Sequence, residues 1–133
     1  MEEKRHTLTK SERLCSKTMI NRLFAGGNSS FPAYPLRVVY MWLTPSEGTA
    51  DVSILISVPK KRFKRAVKRN LIKRQIREAY RRNKYILIDA LEPNEESKRL
   101  VLAFIWLDNQ IHSYEEVERK VKKLLVHIME SIK

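Results

Sequence analysis

Apolar and polar residues alternate in the N-terminal half of the chain in ways that predict one helix and two strands. Residues 19–24 place apolar side chains on one helical face, which predicts a short helix that the glycine pair 26–27 ends. Residues 36–43 are rich in Val, Tyr and Trp and predict a strand. The alternating residues 51–58 are predicted to be its hairpin partner, and Ala33–Pro35 marks the candidate for one more short strand.

Longer apolar patterns follow in the C-terminal half. Residues 65–91 have a helical pattern, with a break predicted near Asn83. Residues 100–107 are apolar on both faces, which is typical of an interior strand covered on each side. Ser113 and Glu116 form a capping box ahead of a last amphipathic helix.

These elements predict a single α+β domain. The order α-β-β(-β)-α-β-α favours two layers, with helices packed on a mixed sheet. A chain of 133 residues with 43% hydrophobic content is long enough for one proper core, so residues 1–133 are predicted to form a single domain.

Several classes of protein are excluded by what the sequence lacks. The longest apolar run, residues 100–107, is far shorter than the ~20 residues that span a bilayer. The polar N-terminus has no hydrophobic region of a secretory signal. A lone cysteine, Cys15, excludes an internal disulfide framework and a multi-cysteine zinc site. We therefore predict a cytoplasmic protein that does not bind membranes.

The positive charge is confined to one segment. Lys and Arg number 27 against 15 Asp and Glu, a net charge of +12. Residues 60–84 contain 13 basic residues and one acid, Glu78, so the other 108 residues carry 14 charges of each sign. A neutral body with one basic element is the electrostatic pattern of a nucleic-acid-binding protein.

A helical wheel divides this basic segment into two faces. One face is predicted to pack on the sheet and contains Leu71, Ile72, Gln75, Ile76, Ala79 and Tyr80. The other is a stripe of polar and cationic side chains formed by Asn70, Lys73, Arg74, Arg77 and Arg81, which the cluster at residues 60–65 extends. Arg offers planar two-point contacts to phosphate and Lys a point charge, so the stripe fits RNA, although a merely solvated basic face is the alternative.

No catalytic or metal site is predicted in this chain. His6, His112 and His127 are scattered, and none is predicted to lie beside a nucleophile or at ligand spacing from a carboxylate. The acids cluster in a loop and at a helix start, and three glycines cannot build a phosphate-binding loop. A nuclease centre would need convergent carboxylates that hold a metal ion.

Two consecutive segments resemble the protein subunit of bacterial ribonuclease P. Residues 57–61 read Ser-Val-Pro-Lys-Lys, and residues 66–78 read Ala-Val-Lys-Arg-Asn-Leu-Ile-Lys-Arg-Gln-Ile-Arg-Glu. The signature of that family is a strand ending in Ser-Val-x-Lys-Lys, a short loop, and Ala-Val-x-Arg-Asn-Arg-x-Lys-Arg-x-x-Arg-Glu on a helix. Leu71 stands where the family usually has Arg, and the family's aromatic pair in the first helix is represented by Ile20 and Phe24.

The resemblance implies a ribosomal protein S5 domain 2-like fold. That fold has a four-stranded sheet with helices and contains a left-handed β-α-β crossover. Right-handed crossovers dominate other folds at ~98%, so the left hand is expected here only because of the resemblance.

The resemblance also implies a function. It predicts a subunit that binds the ribonuclease P RNA and the 5′ leader of precursor tRNA and promotes removal of the leader to give the mature 5′ end. The endoribonuclease centre is expected in the RNA with its Mg²⁺; the protein itself is expected to bind no cofactor and to need no protein partner. The candidate residues for binding the catalytic RNA are Lys60, Lys61, Arg65, Lys68, Arg69, Asn70, Lys73, Arg74, Arg77 and Arg81.

A second site is expected from the resemblance, in a cleft between the N-terminal helix and the sheet. Phe24, Val38 and Tyr40 are the candidates for contact with the leader, because unpaired bases stack on aromatic side chains. Val38 and Tyr40 have the same parity and are expected on one face of the sheet. A ribosomal-type protein or general RNA chaperone, and a stand-alone metal-dependent nuclease, are the alternative functions.

Overall fold

The computed structural model describes residues 17–26, 28–43, 52–91 and 99–132. Cys15 and His6 lie outside these ranges. The elements in chain order are α1 (Lys17–Phe24), β1 (Ser29–Ala33), β2 (Leu36–Leu43), β3 (Val52–Ser57), α2 (Ala66–Asn83), α3 (Tyr85–Leu91), β4 (Arg99–Trp106) and α4 (Tyr114–Ile132). Within the described ranges, no helix combines the length and the apolar content needed to cross a bilayer.

The four strands form one mixed sheet in the order β1-β2-β4-β3. β2 is antiparallel to both β1 and β4, whereas β3 runs parallel to β4. The predicted hairpin between β2 and β3 is therefore wrong, because β4 lies between them. β4 is apolar on both faces and gains most from a position flanked on each side, which explains why it is an inner strand. The hairpin is instead formed by β1 and β2, so the additional short strand exists but begins earlier than predicted, at Ser29.

The parallel pair of β3 and β4 is joined by a helical crossover. The chain leaves β3 at Ser57, passes through α2 and α3, and enters β4 at Arg99. The predicted break in the helical segment is confirmed, since Lys84 separates α2 from α3. The left hand of this crossover stays a prediction.

The sheet buries apolar side chains on both faces. Leu36, Val38 and Tyr40 of β2 share the main core with the even-numbered residues of β4 and with α2 and α4. On the opposite face, Leu23 of α1 packs with Met41 in a smaller cluster. The members of the smaller cluster are Leu23, Met41, Val101 and Ala103, with Val39 and Leu55 packed against them.

α4 and α2 cover the main face together. The predicted capping box is present in part: the backbone N–H of Glu116 donates to Ser113 Oγ at 3.3 Å. The buried residues of α4 are Val117, Val121, Leu124, Leu125 and Ile128. α2 buries Ile72, Ile76, Ala79 and Tyr80. Leu71, however, is 40% exposed, so its predicted place on the buried side is wrong.

Candidate nucleic-acid interface

The basic residues of α2 lie opposite the side chains that attach the helix to the sheet. Ile72 and Ile76 are fully buried, while Asn70, Arg74 and Arg77 are exposed. We call Asn70, Lys73, Arg74 and Arg77 the basic face. Of the other predicted RNA-binding residues, Lys60, Lys61, Arg65 and Lys68 are exposed, and Arg69 and Arg81 are half-buried.

Three cations of the basic face have no partner among the residues that the structure describes. Within the described part of the chain, the side chains of Lys73, Arg74 and Arg77 make no ion pair and no hydrogen bond. An ordinary solvated helix would pair such residues with acids at i,i+3 or i,i+4. The basic face thus presents repelling charges that an anionic partner would relieve.

Arg69 differs from its neighbours because it fixes the loop that leads into α2. One of its terminal nitrogens donates to the carbonyl oxygens of Phe63 at 2.7 Å and Lys64 at 3.0 Å. The Phe63 side chain is buried in the main core. No side chain caps the start of α2 at Arg65, so Arg69 helps to hold the loop against the first turn of the helix.

Arg81 is also engaged within the protein. Its Nε donates to Glu78 Oε2 at 2.9 Å, and Arg82 Nε lies 3.8 Å from the other oxygen of Glu78. The hydrogen bond from Arg81 lowers the pKa of Glu78 and raises that of Arg81. The one acid of the basic segment therefore offsets cations at the end of α2 and leaves the basic face unneutralised.

The predicted leader cleft is placed differently from expectation. Val38 and Tyr40 do share one face of β2, but this face is the main core, whereas α1 packs on the other. Val38 has no exposed surface, so its predicted contact with the leader is wrong. Leu23, rather than Phe24, closes α1 on the sheet, and Phe24 is left 46% exposed.

An open depression of about 400 Å³ lies where α1 ends and β1 begins. Gly26 turns the chain there with φ +96°, and the Asn28 amide donates to the carbonyl oxygens of Arg22 and Leu23 at the end of α1. The depression adjoins β2 where that strand extends past its last pair with β1, Ser29 with Tyr40. Its lining includes Arg22, Gly26, Asn28, Ser29, Tyr40 and Trp42.

Trp42 is the residue of this depression that the sequence reasoning missed. Its side chain is 38% exposed, whereas that of Tyr40 is 7% exposed. Trp42 continues the parity of Val38 and Tyr40 to the end of the strand, where the main core no longer covers it. The same alternation that selected Tyr40 could therefore have selected Trp42.

His112 contradicts the prediction that no histidine lies beside carboxylates. Its Nε2 is 2.6 Å from Asp108 Oδ2, and its Nδ1 is 3.1 Å from Glu116 Oε2. A hydrogen bond donated by each ring nitrogen to these two carboxylates corresponds to the imidazolium form. The hydrogen bond to Asp108 is the main cause that raises the pKa of His112, and the same bond lowers the pKa of Asp108. The sequence contained the signal for this arrangement, because Asp108 lies four residues before His112 and Glu116 lies four residues after it.

The cluster of Asp108, His112 and Glu116 is also connected to α2 by a hydrogen bond. Gln75 of α2 donates through Nε2 to the carbonyl oxygen of His112 at 3.1 Å. The imidazole also meets the ring of buried Trp106 edge-on, with centroids 5.4 Å apart. Within the described residues, no group of three or more His, Cys, Asp or Glu side chains could hold a metal ion.

Comparison with known proteins places the sequence pattern and the fold in one family. The Ribonuclease P family model matches residues 8–129. The chain belongs to the Ribonuclease P family. Two curated relatives are "Ribonuclease P protein component" of Porphyromonas gingivalis, 46% identical over 121 residues (91% of this chain and 85% of the relative), and the protein of the same name from Chlorobaculum tepidum, 31% identical over 134 residues (96% and 86%).

Solved ribonuclease P proteins share the fold. The protein from Thermotoga maritima matches with a TM-score of 0.67 at 21% identity, covering 87% of this chain and 96% of that one. A Staphylococcus aureus ribonuclease P protein mutant, described as defective in mRNA degradation activity, also has a TM-score of 0.67, at 20% identity, covering 90% and 89%. The prediction of an α+β fold of the ribonuclease P protein type is confirmed.

Proposed function

We propose that this protein is the subunit of ribonuclease P that binds the catalytic RNA and the leader of precursor tRNA, and so promotes formation of the mature tRNA 5′ end. The observation that carries the proposal is the basic face. Lys73, Arg74 and Arg77 project from one side of a helix whose opposite side is anchored in the core. Family membership supports the same assignment.

The basic face would bind the RNA mainly through phosphates. Cations that neutralise phosphates release condensed counterions, so this binding is strong at low salt and weakens as salt increases. Arg74 and Arg77 can each make planar two-point contacts with a phosphate, whereas Lys73 adds a point charge. The exposed residues Lys60 and Lys61 continue this surface beyond the start of the helix.

The depression beside α1 would hold the leader. Trp42, which lines the depression, exposes aromatic surface on which unpaired bases can stack without regard to sequence, and Phe24 exposes a second ring at the end of α1. Tyr40 borders the same depression but exposes little of its ring, so it would support the site more than contact the bases. Arg22 adds a cation at the rim for the leader backbone.

We place hydrolysis in the RNA partner with its Mg²⁺, as the resemblance implies. The contribution of this chain would be to position precursor tRNA and to reduce the repulsion between two polyanions. That division of labour predicts that the protein matters most at low Mg²⁺, when the metal ion alone does not screen the phosphates.

Leader removal tests the proposal. Precursor tRNA is incubated at low Mg²⁺ with the protein alone, with ribonuclease P RNA alone, and with both. We expect efficient cleavage only with both. Cleavage by the protein alone would support a stand-alone nuclease, and no gain over the RNA alone would support a general RNA-binding protein.

A further inference from the structure

Two apolar side chains are exposed on the basic helix. Val67 is 78% exposed and Leu71 is 40% exposed, although α2 has a well-packed apolar side elsewhere. They are four residues apart, so they are adjacent on the helix surface, with Cβ atoms about 5–6 Å apart. We call this pair the apolar ridge.

The apolar ridge lies at the most outward part of the helix. At about 100° per residue, Val67 is half a turn away from buried Ile76, and Leu71 is only about 40° from Val67. The ridge therefore points away from the sheet, and the packing of α2 on the core does not account for it.

Cations border the apolar ridge on both sides. Lys68 lies on one side of it and Arg77 on the other, with Arg74 continuing the ridge by one turn. All three side chains are exposed. A partner that covers the ridge must therefore offer apolar surface with negative charge on both sides of it.

An RNA helix has this combination of features. Its wide, shallow minor groove exposes ribose and base edges between two phosphate backbones. The C–H groups of the riboses supply apolar surface, and the backbones supply the charge. An α-helix of about 10–12 Å diameter can lie across such a shallow groove with its outermost residues against the floor.

We propose that Val67 and Leu71 contact ribose and base edges of the ribonuclease P RNA while the neighbouring cations hold the phosphates on either side. This inference rests on the proposed function and adds to it a salt-independent part of the binding surface. Burial of Leu71 would stabilise the complex through apolar contact, which releases no counterions.

Binding of the full-length protein to ribonuclease P RNA at several salt concentrations tests the inference. We expect Leu71→Ala to weaken binding by about fivefold at every salt concentration, because apolar burial is lost and no charge changes. Ile111→Ala is a matched control, since Ile111 is 39% exposed and lies outside α2. The control is expected to bind like the wild type.

Leu71→Arg gives a second readout at the same position. An arginine facing the RNA would neutralise one more phosphate and steepen the log–log salt dependence by ~0.7–0.9. Wild-type affinity for Leu71→Ala overturns the inference and assigns the ridge to a partner other than RNA. A Leu71→Ala variant with a shallower salt dependence also overturns it, since its defect would then be electrostatic. Failure of the wild-type protein to bind the RNA would overturn the inference and the proposed function together.

Discussion

Arg69 donates a hydrogen bond of 2.7 Å to the carbonyl oxygen of Phe63 and thereby joins the first turn of α2 to a loop anchored in the core. Arg74, five residues further along the helix, makes no such contact within the described chain. Both residues were predicted to bind RNA from their positions in the sequence. The structure gives one of them a structural contact and leaves the other available.

Alanine variants of Arg69 and Arg74 should differ in their free energy of unfolding. Arg69→Ala removes a charged donor from two carbonyl oxygens and should lower the free energy of unfolding by about 1–2 kcal/mol. Arg74→Ala should change it by no more than about 0.5 kcal/mol, or raise it by reducing repulsion. Urea denaturation of both variants checks the difference. Equal stability of the two variants would show that the Arg69 contact does not hold the loop.

The two sides of α2 should separate function from folding. Ile76→Ala creates a cavity in the core and should cost about 2–5 kcal/mol of stability. Arg77→Ala should keep the stability of the wild type and weaken RNA binding. Thermal unfolding and an RNA-binding assay on both variants make the comparison. If Arg77→Ala unfolds at a much lower temperature than the wild type, the assignment of the exposed side is wrong.

The sequence predicted α2 well because helical periodicity carries the information. Ile72 and Ile76 recur at the spacing of one face, and the cations fill the remainder. Leu71 was misplaced because an apolar residue was assumed to be buried. Hydrophobicity alone does not distinguish a side chain that packs on the core from one that faces a partner.

The alternation of apolar and polar residues did not predict which strands pair. Alternation identified the strands but does not say which strand lies beside which, so β3 was assigned to β2 by proximity in the sequence. Likewise, parity placed Val38 and Tyr40 on one face correctly. Which face α1 covers depends on how the whole chain packs, and this decided that Val38 is buried.

Protonation of His112 should make stability depend on pH. The pKa of His112 is raised in the folded state, chiefly by the hydrogen bond to Asp108. Its contribution is therefore fully present below the ordinary pKa of about 6.5 and is lost as pH rises through the folded value. Asp108 has the opposite shift, so its contribution is present above an ordinary pKa of about 3.9 and is lost as pH falls through its lowered value.

His112→Gln provides the matched control for this dependence, because glutamine does not titrate. The stability advantage of the wild type should be greatest between about pH 4 and 6.5 and should shrink at alkaline pH. Chemical denaturation of the wild type and of His112→Gln, from acidic to alkaline pH, measures this difference in the free energy of unfolding. A difference in stability between the two proteins that stays constant with pH would contradict an imidazolium held by hydrogen bonds to Asp108 and Glu116.

The depression beside α1 should affect precursor tRNA alone. Trp42→Ala removes an exposed aromatic platform, and base stacking is worth ~1–3 kcal/mol, so precursor affinity should fall about tenfold. Mature tRNA has no leader and should bind the variant and wild-type holoenzymes alike. The measurement is the ratio of precursor to mature tRNA affinity for the assembled complex, compared between Trp42→Ala and the wild type.

Two further variants make that result interpretable. Phe24→Ala should lower the ratio of precursor to mature affinity in the same direction, since Phe24 is exposed at the end of α1. Val38→Ala should instead reduce stability, since Val38 is fully buried. A ratio unchanged by both Trp42→Ala and Phe24→Ala would place the leader elsewhere on the protein.

The salt dependence of binding to ribonuclease P RNA tests the central claim most directly. With about 5–8 neutralised phosphates at ~0.7–0.9 counterions each, the log–log slope should have a magnitude of about 4–7 for the wild type. Replacing both Arg74 and Arg77 by alanine should reduce that magnitude by about 1.4–1.8 while the protein stays folded. A wild-type slope near zero, or a double variant with an unchanged slope, would contradict the assignment of the basic face as the RNA-binding surface.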